Sequence, residues 1–154
     1  MKNIFIESDY LEIRSRIEKL SDANERLWGN MNLEQMLIHC TTQLKLALGE
    51  ISAEQQGPSF MRSKLGKWIL FSTIPWPKNV GTPNEMNTEL SSFTFTDIED
   101  KKIILLNYLE KVKEGTQLKK HPFFGELNRK EWGRLMYKHL DHHLKQFSSH
   151  YKKV

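Results

Sequence analysis

The stretch Tyr137-Lys138-His139-Leu140-Asp141-His142-His143-Leu144-Lys145-Gln146-Phe147 holds three of the chain's six histidines within five residues. Upstream, Asn128 is followed three residues later by Glu131, the spacing of a capping box, which predicts a helix from there to about His150. On such a helix His139 and His143 are four apart and stack on one face about a turn from each other. The same face runs through Trp132, Leu135, Met136, Gln146 and Phe147, an otherwise apolar stripe that should point into a core. Imidazoles are costly to bury without partners, so two on a buried face suggest a shared ligand such as a metal ion.

Working outward, the same signals mark three further long helices. Asn32 with Gln35 makes a capping box ahead of Leu33, Met36, Leu37, Cys40, Leu44, Ala47 and Leu48, and Gly49 supplies a stop. Thr96 with Glu99 makes another ahead of Ile98, Ile103, Leu105, Leu106, Leu109 and Val112, with Gly115 as the stop. A first helix is expected from Ser8 as N-cap, with Asp9 in its first turn and Tyr10, Ile13, Ile17 and Leu20 at helical spacing. Ser21 to Asn30 reads as a loop. Met61 to Thr73 reads as a short extra helix, and the proline-rich stretch from Pro75 to Asn87 as a long loop of the kind that often carries function. Ser92-Phe93-Thr94-Phe95 alternates but is too short and isolated to require a sheet. The expectation is an all-α single domain over residues 1–154: a four-helix bundle with a long crossover between its second and third main helices.

Composition removes several classes. No apolar run approaches the roughly twenty residues that span a bilayer, and the N-terminus lacks the apolar core and cleavage site of a signal peptide. One cysteine, Cys40, excludes an intrachain disulfide and suits a reducing compartment, so a cytoplasmic location is expected. The 23 Lys and Arg against 19 Asp and Glu are scattered in pairs rather than gathered in a stripe, which argues against a nucleic-acid partner. The metalloprotease pattern fails because Leu140, not Glu, follows His139. A di-iron bundle fails for want of inward carboxylates, and there is neither a phosphate loop nor a nucleophile elbow.

A third ligand is available in His39, beside the apolar face of the second helix. One histidine from one helix and two from a facing helix is a geometry that bundles use for metal sites. Three neutral nitrogens leave coordination positions for water or substrate. His142, three residues after His139, rivals His143, and spacing alone barely separates them. Asp141 reads as a surface residue or an outer partner at most, His121 as a turn residue, His150 as a terminal residue and Cys40 as core. Gln146 is placed to orient a ligand histidine or substrate, and Trp132 and Trp76 to wall the pocket.

With these residues in view, the chain resembles the DinB-like superfamily of damage-inducible and bacillithiol-transferase-like four-helix bundles. It is most similar to the branch defined as a domain of unknown function, DUF 1569. The resemblance covers nearly the whole chain. It is carried by Trp28-Gly29-Asn30-Met31, Gln35-Met36-Leu37-Ile38-His39-Cys40, Ala47-Leu48-Gly49-Glu50, and Pro77-Lys78-Asn79 with Thr82-Pro83. The most specific part runs from His121-Pro122-Phe123-Phe124-Gly125 through Glu131-Trp132-Gly133 to Phe147. It implies a metal bound by one histidine of the second helix and an H-x-x-x-H pair of the last, which falls on His39, His139 and His143. It also implies relatives that are thiol-dependent transferases or isomerases, many of them dimers.

The leading expectation is therefore a metal-dependent transferase or hydrolase that activates a thiol or water. It would use zinc or nickel, with manganese and iron as further choices, and act on a small molecule such as a low-molecular-weight thiol. No membrane partner is expected, and a homodimer is. The alternatives are a non-catalytic metal-binding or stress-response module, and a structural bundle without metal.

Overall fold

A computed structural model of the chain describes residues 1–55, 57–72, 76 and 97–148. Its elements in order are α1 (Glu7–Glu18), β1 (Glu25–Arg26), α2 (Leu33–Leu48), a 3-10 turn (Ser59–Arg62), α3 (Lys64–Leu70), α4 (Ile98–Glu114), α5 (Arg129–Leu144) and β2 (Phe147–Ser148). The chain is mostly helical, and among the described residues no helix is long and apolar enough to cross a membrane. The crossover stretch other than Trp76, the 92–95 alternation, Thr73, Thr96 and His150 lie outside the described residues.

Two helices start as their sequences predict. Asn32 accepts from the Gln35 amide while Gln35 accepts from the Asn32 amide, both at 2.8 Å, so two otherwise unpaired donors of α2 are satisfied. Asn128 and Glu131 do the same for α5, at 2.8 and 2.9 Å. At the far end of α2, Gly49 takes φ 77°, the left-handed conformation that closes a helix without a Cβ clash.

Other boundaries differ from expectation for local reasons. α1 begins at Glu7, and its N-cap is an extended Ile6 with no side-chain cap bond, not Ser8. The side chain that organises this turn is Asp9, which accepts from the Asn3 amide at 2.9 Å. α4 is capped by Asp97, whose carboxylate accepts from the Glu99 amide at 2.9 Å. Aspartate is at least as good an N-cap as the threonine expected in that role. The expected 61–73 helix divides into the 3-10 turn and α3, because Ser63 accepts from Gly66 N and restarts the chain. α5 stops at Leu144 instead of continuing toward His150. Phe147 and Ser148 leave the helix to pair antiparallel with Arg26 and Glu25, inside the stretch expected to be a loop, and Leu27 N donates to Gln146 O at 2.7 Å.

α2 packs on α4 and α5, and α1 packs on the same two helices from the other side. Ile13, Ile17, Met36, Leu37, Leu44, Leu105, Leu109 and Met136 fill the space between them, all essentially without solvent contact. Trp132 is fully buried, and its Nε1 donates to Lys119 O at 2.9 Å, while Lys119 N donates to Ala47 O at 2.9 Å. This chain of bonds ties the start of α5 to the end of α2. The two helices therefore run antiparallel, which brings His39 of α2 to the level of His139.

The N-terminal residues lie across α5, with Ile4 N donating to Gly133 O at 3.2 Å. A Cβ on Gly133 would stand 1.9 Å from Asn3 Oδ1 and 2.5 Å from Phe5 Cδ2. Asn3 cannot easily retreat, because its Oδ1 accepts from Phe5 N and its Nδ2 donates to Lys130 O. Propensity alone favours alanine over glycine inside a helix by about 1 kcal/mol. We expect the opposite sign here: Gly133→Ala should lower the unfolding free energy by about 1–3 kcal/mol through overpacking. Urea unfolding of the two proteins checks this, and a variant as stable as the parent would show that the N-terminal segment does not press on α5.

Candidate metal centre

His39, His139 and His143 converge between α2 and α5. They are only 3%, 6% and 7% exposed, and each offers a ring nitrogen within 4.8 Å of the others'. The Nε2 atoms of His39 and His139 are 2.9 Å apart. The ring centroids lie 4.5 to 4.8 Å from one another, tilted or edge-on, so the rings meet at their rims instead of stacking flat. Nitrogens bound to one tetrahedral zinc-like ion at 2.0–2.1 Å lie about 3.4 Å apart. Closing the widest separation by roughly 1.4 Å, shared between side chains, would bring all three within reach of a single ion.

The hydrogen bonding assigns the tautomer of one ring. His143 Nδ1 is 2.6 Å from Gln146 Oε1, and an amide oxygen only accepts, so Nδ1 carries the proton and Nε2 keeps its lone pair. A buried imidazole held by a carbonyl on one nitrogen and open on the other is the usual form of a metal ligand. His139 Nδ1 is buried and has no hydrogen-bond partner among the described residues.

Electrostatics keeps two of these rings, His139 and His143, neutral. Burial, followed by the neighbouring His143 and His39, holds His139 well below the ordinary histidine range. Burial, then His39, pushes His143 down to about 3, against a smaller opposing effect of Gln146. No carboxylate joins the trio among the described residues. Asp141 instead bonds Arg16 and Lys145, each at 2.7 Å, and both cations hold its carboxyl down although burial alone would raise it. Cys40 is core, its Sγ 3.7 Å from Met36 Sδ, and burial raises its thiol far above the thiolate range.

The remaining candidates surround the trio. His142 sits beside it, its ring 5.1 Å from His143, edge-on to Trp28 at 4.7 Å and 6.0 Å from Trp76. Trp76 is also 6.1 Å from His139. Trp132 lies two turns before His139, and its indole packs on His121 at 5.3 Å. His121 occupies a turn closed by paired backbone bonds with Gly125, and its Nδ1 accepts from Phe123 N at 3.1 Å and Phe124 N at 3.4 Å.

Sequence reading missed two residues near the trio. Lys138 donates to Leu70 O and Ser72 O at 2.9 and 3.1 Å, and its Nζ is 5.6 Å from the Trp76 ring, which fastens the end of α3 to α5. Gln43, one turn beyond His39, is buried with an unpartnered Oε1. Its i, i+4 relation to His39 was the available signal.

The family described as "Protein of unknown function (DUF1569)" matches residues 6–150. The chain belongs to that family. No curated protein and no solved structure matches it.

Neutral buried histidines make stability depend on pH. Burial pushes His121 down to about 4, against about 6.5 for an unfolded histidine. The folded chain therefore excludes protons that the unfolded chain takes up. The stabilisation is fully present above about pH 6.5 and is lost as the pH falls through about 4. On chelator-treated protein, the unfolding free energy should fall between pH 6.5 and 4.5 by up to about 1.4 kcal/mol per pH unit for each such histidine. Urea midpoints across that range check this, and His121→Gln should flatten the slope by about one proton's worth. A slope unaffected by that change would show that His121 is not held neutral by the fold.

Proposed function

We propose that this member of the DUF1569 family binds one divalent metal ion through His39, His139 and His143 and uses it to activate a thiol or water in a transfer or hydrolysis reaction. The observation that carries the reading is the meeting of three buried imidazoles at one point, one of them fixed by Gln146 with its lone pair left open. The donor set fits the ion. Three imidazole nitrogens suit zinc or nickel, and also iron, with manganese a poorer match, and leave room for a further ligand.

When bound, such an ion would act as a Lewis acid and lower the pKa of a coordinated water or thiol toward neutrality. The chain's own residues do the rest. His39, His139 and His143 would hold it from two antiparallel helices whose relative position is fixed by Trp132 and Lys119. Gln146 holds the His143 ring in one tautomer and orientation. Trp76, Trp28 and His142 form an aromatic border beside the trio that would limit water and present flat apolar surface to a small substrate. Lys138 keeps the end of α3 in place beside that border. The closed circuit of packing among α1, α4, α2 and α5 supports a four-helix bundle of DinB-like type, with α3 in the connection between α2 and α4.

Elemental mass spectrometry of tag-free protein tests the site. The expected result is close to one metal ion per chain, removed by chelator and regained on adding zinc or nickel. His139→Ala should lose most of it. A thousandfold excess of zinc over its Kd should stabilise the parent by about 4 kcal/mol and the variant by little. A parent chain that takes up neither metal would overturn the assignment. A chain that binds metal but turns over no thiol-transfer or hydrolysis substrate would retain the site and lose the catalytic part.

A further inference from the structure

Two buried polar atoms near the histidine trio lack partners among the described residues: His139 Nδ1 and Gln43 Oε1. Buried polar groups are paired in the great majority of cases, so each such atom calls for a physical reason. Gln43 is 3% exposed and sits four residues after His39, one turn along the same side of α2. His39 in turn touches His139, Nε2 to Nε2 at 2.9 Å. An unpartnered acceptor thus lies one helical turn from the residue that touches the other nitrogen of the same His139 ring.

The chemistry of the two atoms is complementary once the ligand atom is chosen. The nitrogen that His139 turns toward His39 is Nε2. If Nε2 gives its lone pair to an ion, the neutral ring must carry its proton on Nδ1, which makes the orphan nitrogen a donor. An amide oxygen is the partner such a donor ordinarily has at a metal site. The site already contains one such pairing, in which Gln146 accepts from His143 Nδ1. His139 has no equivalent, and Gln43 offers the same functional group from the opposite helix.

We propose, resting on the metal-binding reading above, that Gln43 is a positioning residue of the metal centre. Its side-chain oxygen accepts the His139 Nδ1 proton, through a rotamer change or one bridging water, when Nε2 is ligating. The trio is then braced by two glutamines, Gln146 from the end of α5 and Gln43 from α2. Each fixes one imidazole with its lone pair toward the ion. Gln43 makes no contact with the ion itself.

The test uses the full chain with Zn²⁺ alone as the probe, its affinity read by competition with a chromophoric chelator. Gln43→Met keeps the length and removes the acceptor, and Gln43→Glu keeps an acceptor. Outer partners of ligand histidines are worth about 10- to 100-fold in metal affinity. Gln43→Met should lose that much, with a metal-free melting temperature close to the parent's, while Gln43→Glu stays within a few-fold of the parent. In the zinc-loaded parent, ¹⁵N-histidine spectra should show a protonated His139 Nδ1 whose proton signal moves in Gln43→Glu.

Equal affinities of the parent and Gln43→Met would overturn the role of Gln43 and leave the three-histidine site standing. If Gln43→Met does not fold, an unmoved His139 Nδ1 proton in Gln43→Glu overturns it instead. A parent chain that binds no zinc removes the metal reading and this inference together.

Discussion

Three imidazoles buried between two helices set the terms for much of this structure. Charge on an imidazole is costly there, and its nitrogens cannot be left without partners at no cost. Both demands make the register of α5 on α2 critical. A slip of one residue would turn His139 by about 100° around its helix and dissolve the cluster. The chain fixes that register from both ends. At one end Lys119 reaches Ala47 while Trp132 reaches Lys119. At the other, the short β1–β2 pairing holds Gln146 beside Leu27, and Gln146 is the residue that secures His143. The two-residue strands thus carry a role out of proportion to their length. They stop α5 at the turn where its last histidine needs an acceptor.

What could be read in advance followed from how locally each feature is encoded. The capping boxes at Asn32 and Asn128 and the stop at Gly49 are settled within four residues, and the structure contains all three. The convergence of His39, His139 and His143 was legible because two of them lie on one helical face and the third faces the same core. The choice between His142 and His143 was not legible from spacing. It depends on Gln146 and on the Trp28 and Trp76 rings, which take His142 to the side.

The end of α5 was missed because no glycine or proline marks it, and strand pairing with the distant Glu25 and Arg26 decides it. Gly133 shows the same limit from the other side. Within its own helix it reads as a weak position, and only the distant Asn3 and Phe5 explain why nothing larger fits. The start of α1 was misplaced by two residues for a similar reason. Its organising contact runs from Asp9 back to Asn3 rather than through a cap at Ser8.

Packing alone is a poor account of the trio. Apolar side chains of similar size would fill the same volume with nothing to satisfy. Three imidazoles bring six polar ring nitrogens into a space that offers few partners. One contact between His39 and His139 and one between His143 and Gln146 are present, yet His139 Nδ1 is still unpaired among the described residues. A hydrogen-bonded core histidine looks like His121, whose Nδ1 takes two backbone amides inside a closed turn. The trio has the reverse arrangement. Its paired nitrogen, on His143, faces outward to an amide oxygen, and nitrogens of all three rings crowd toward one point. Such an arrangement makes physical sense when what occupies that point is an acceptor of lone pairs.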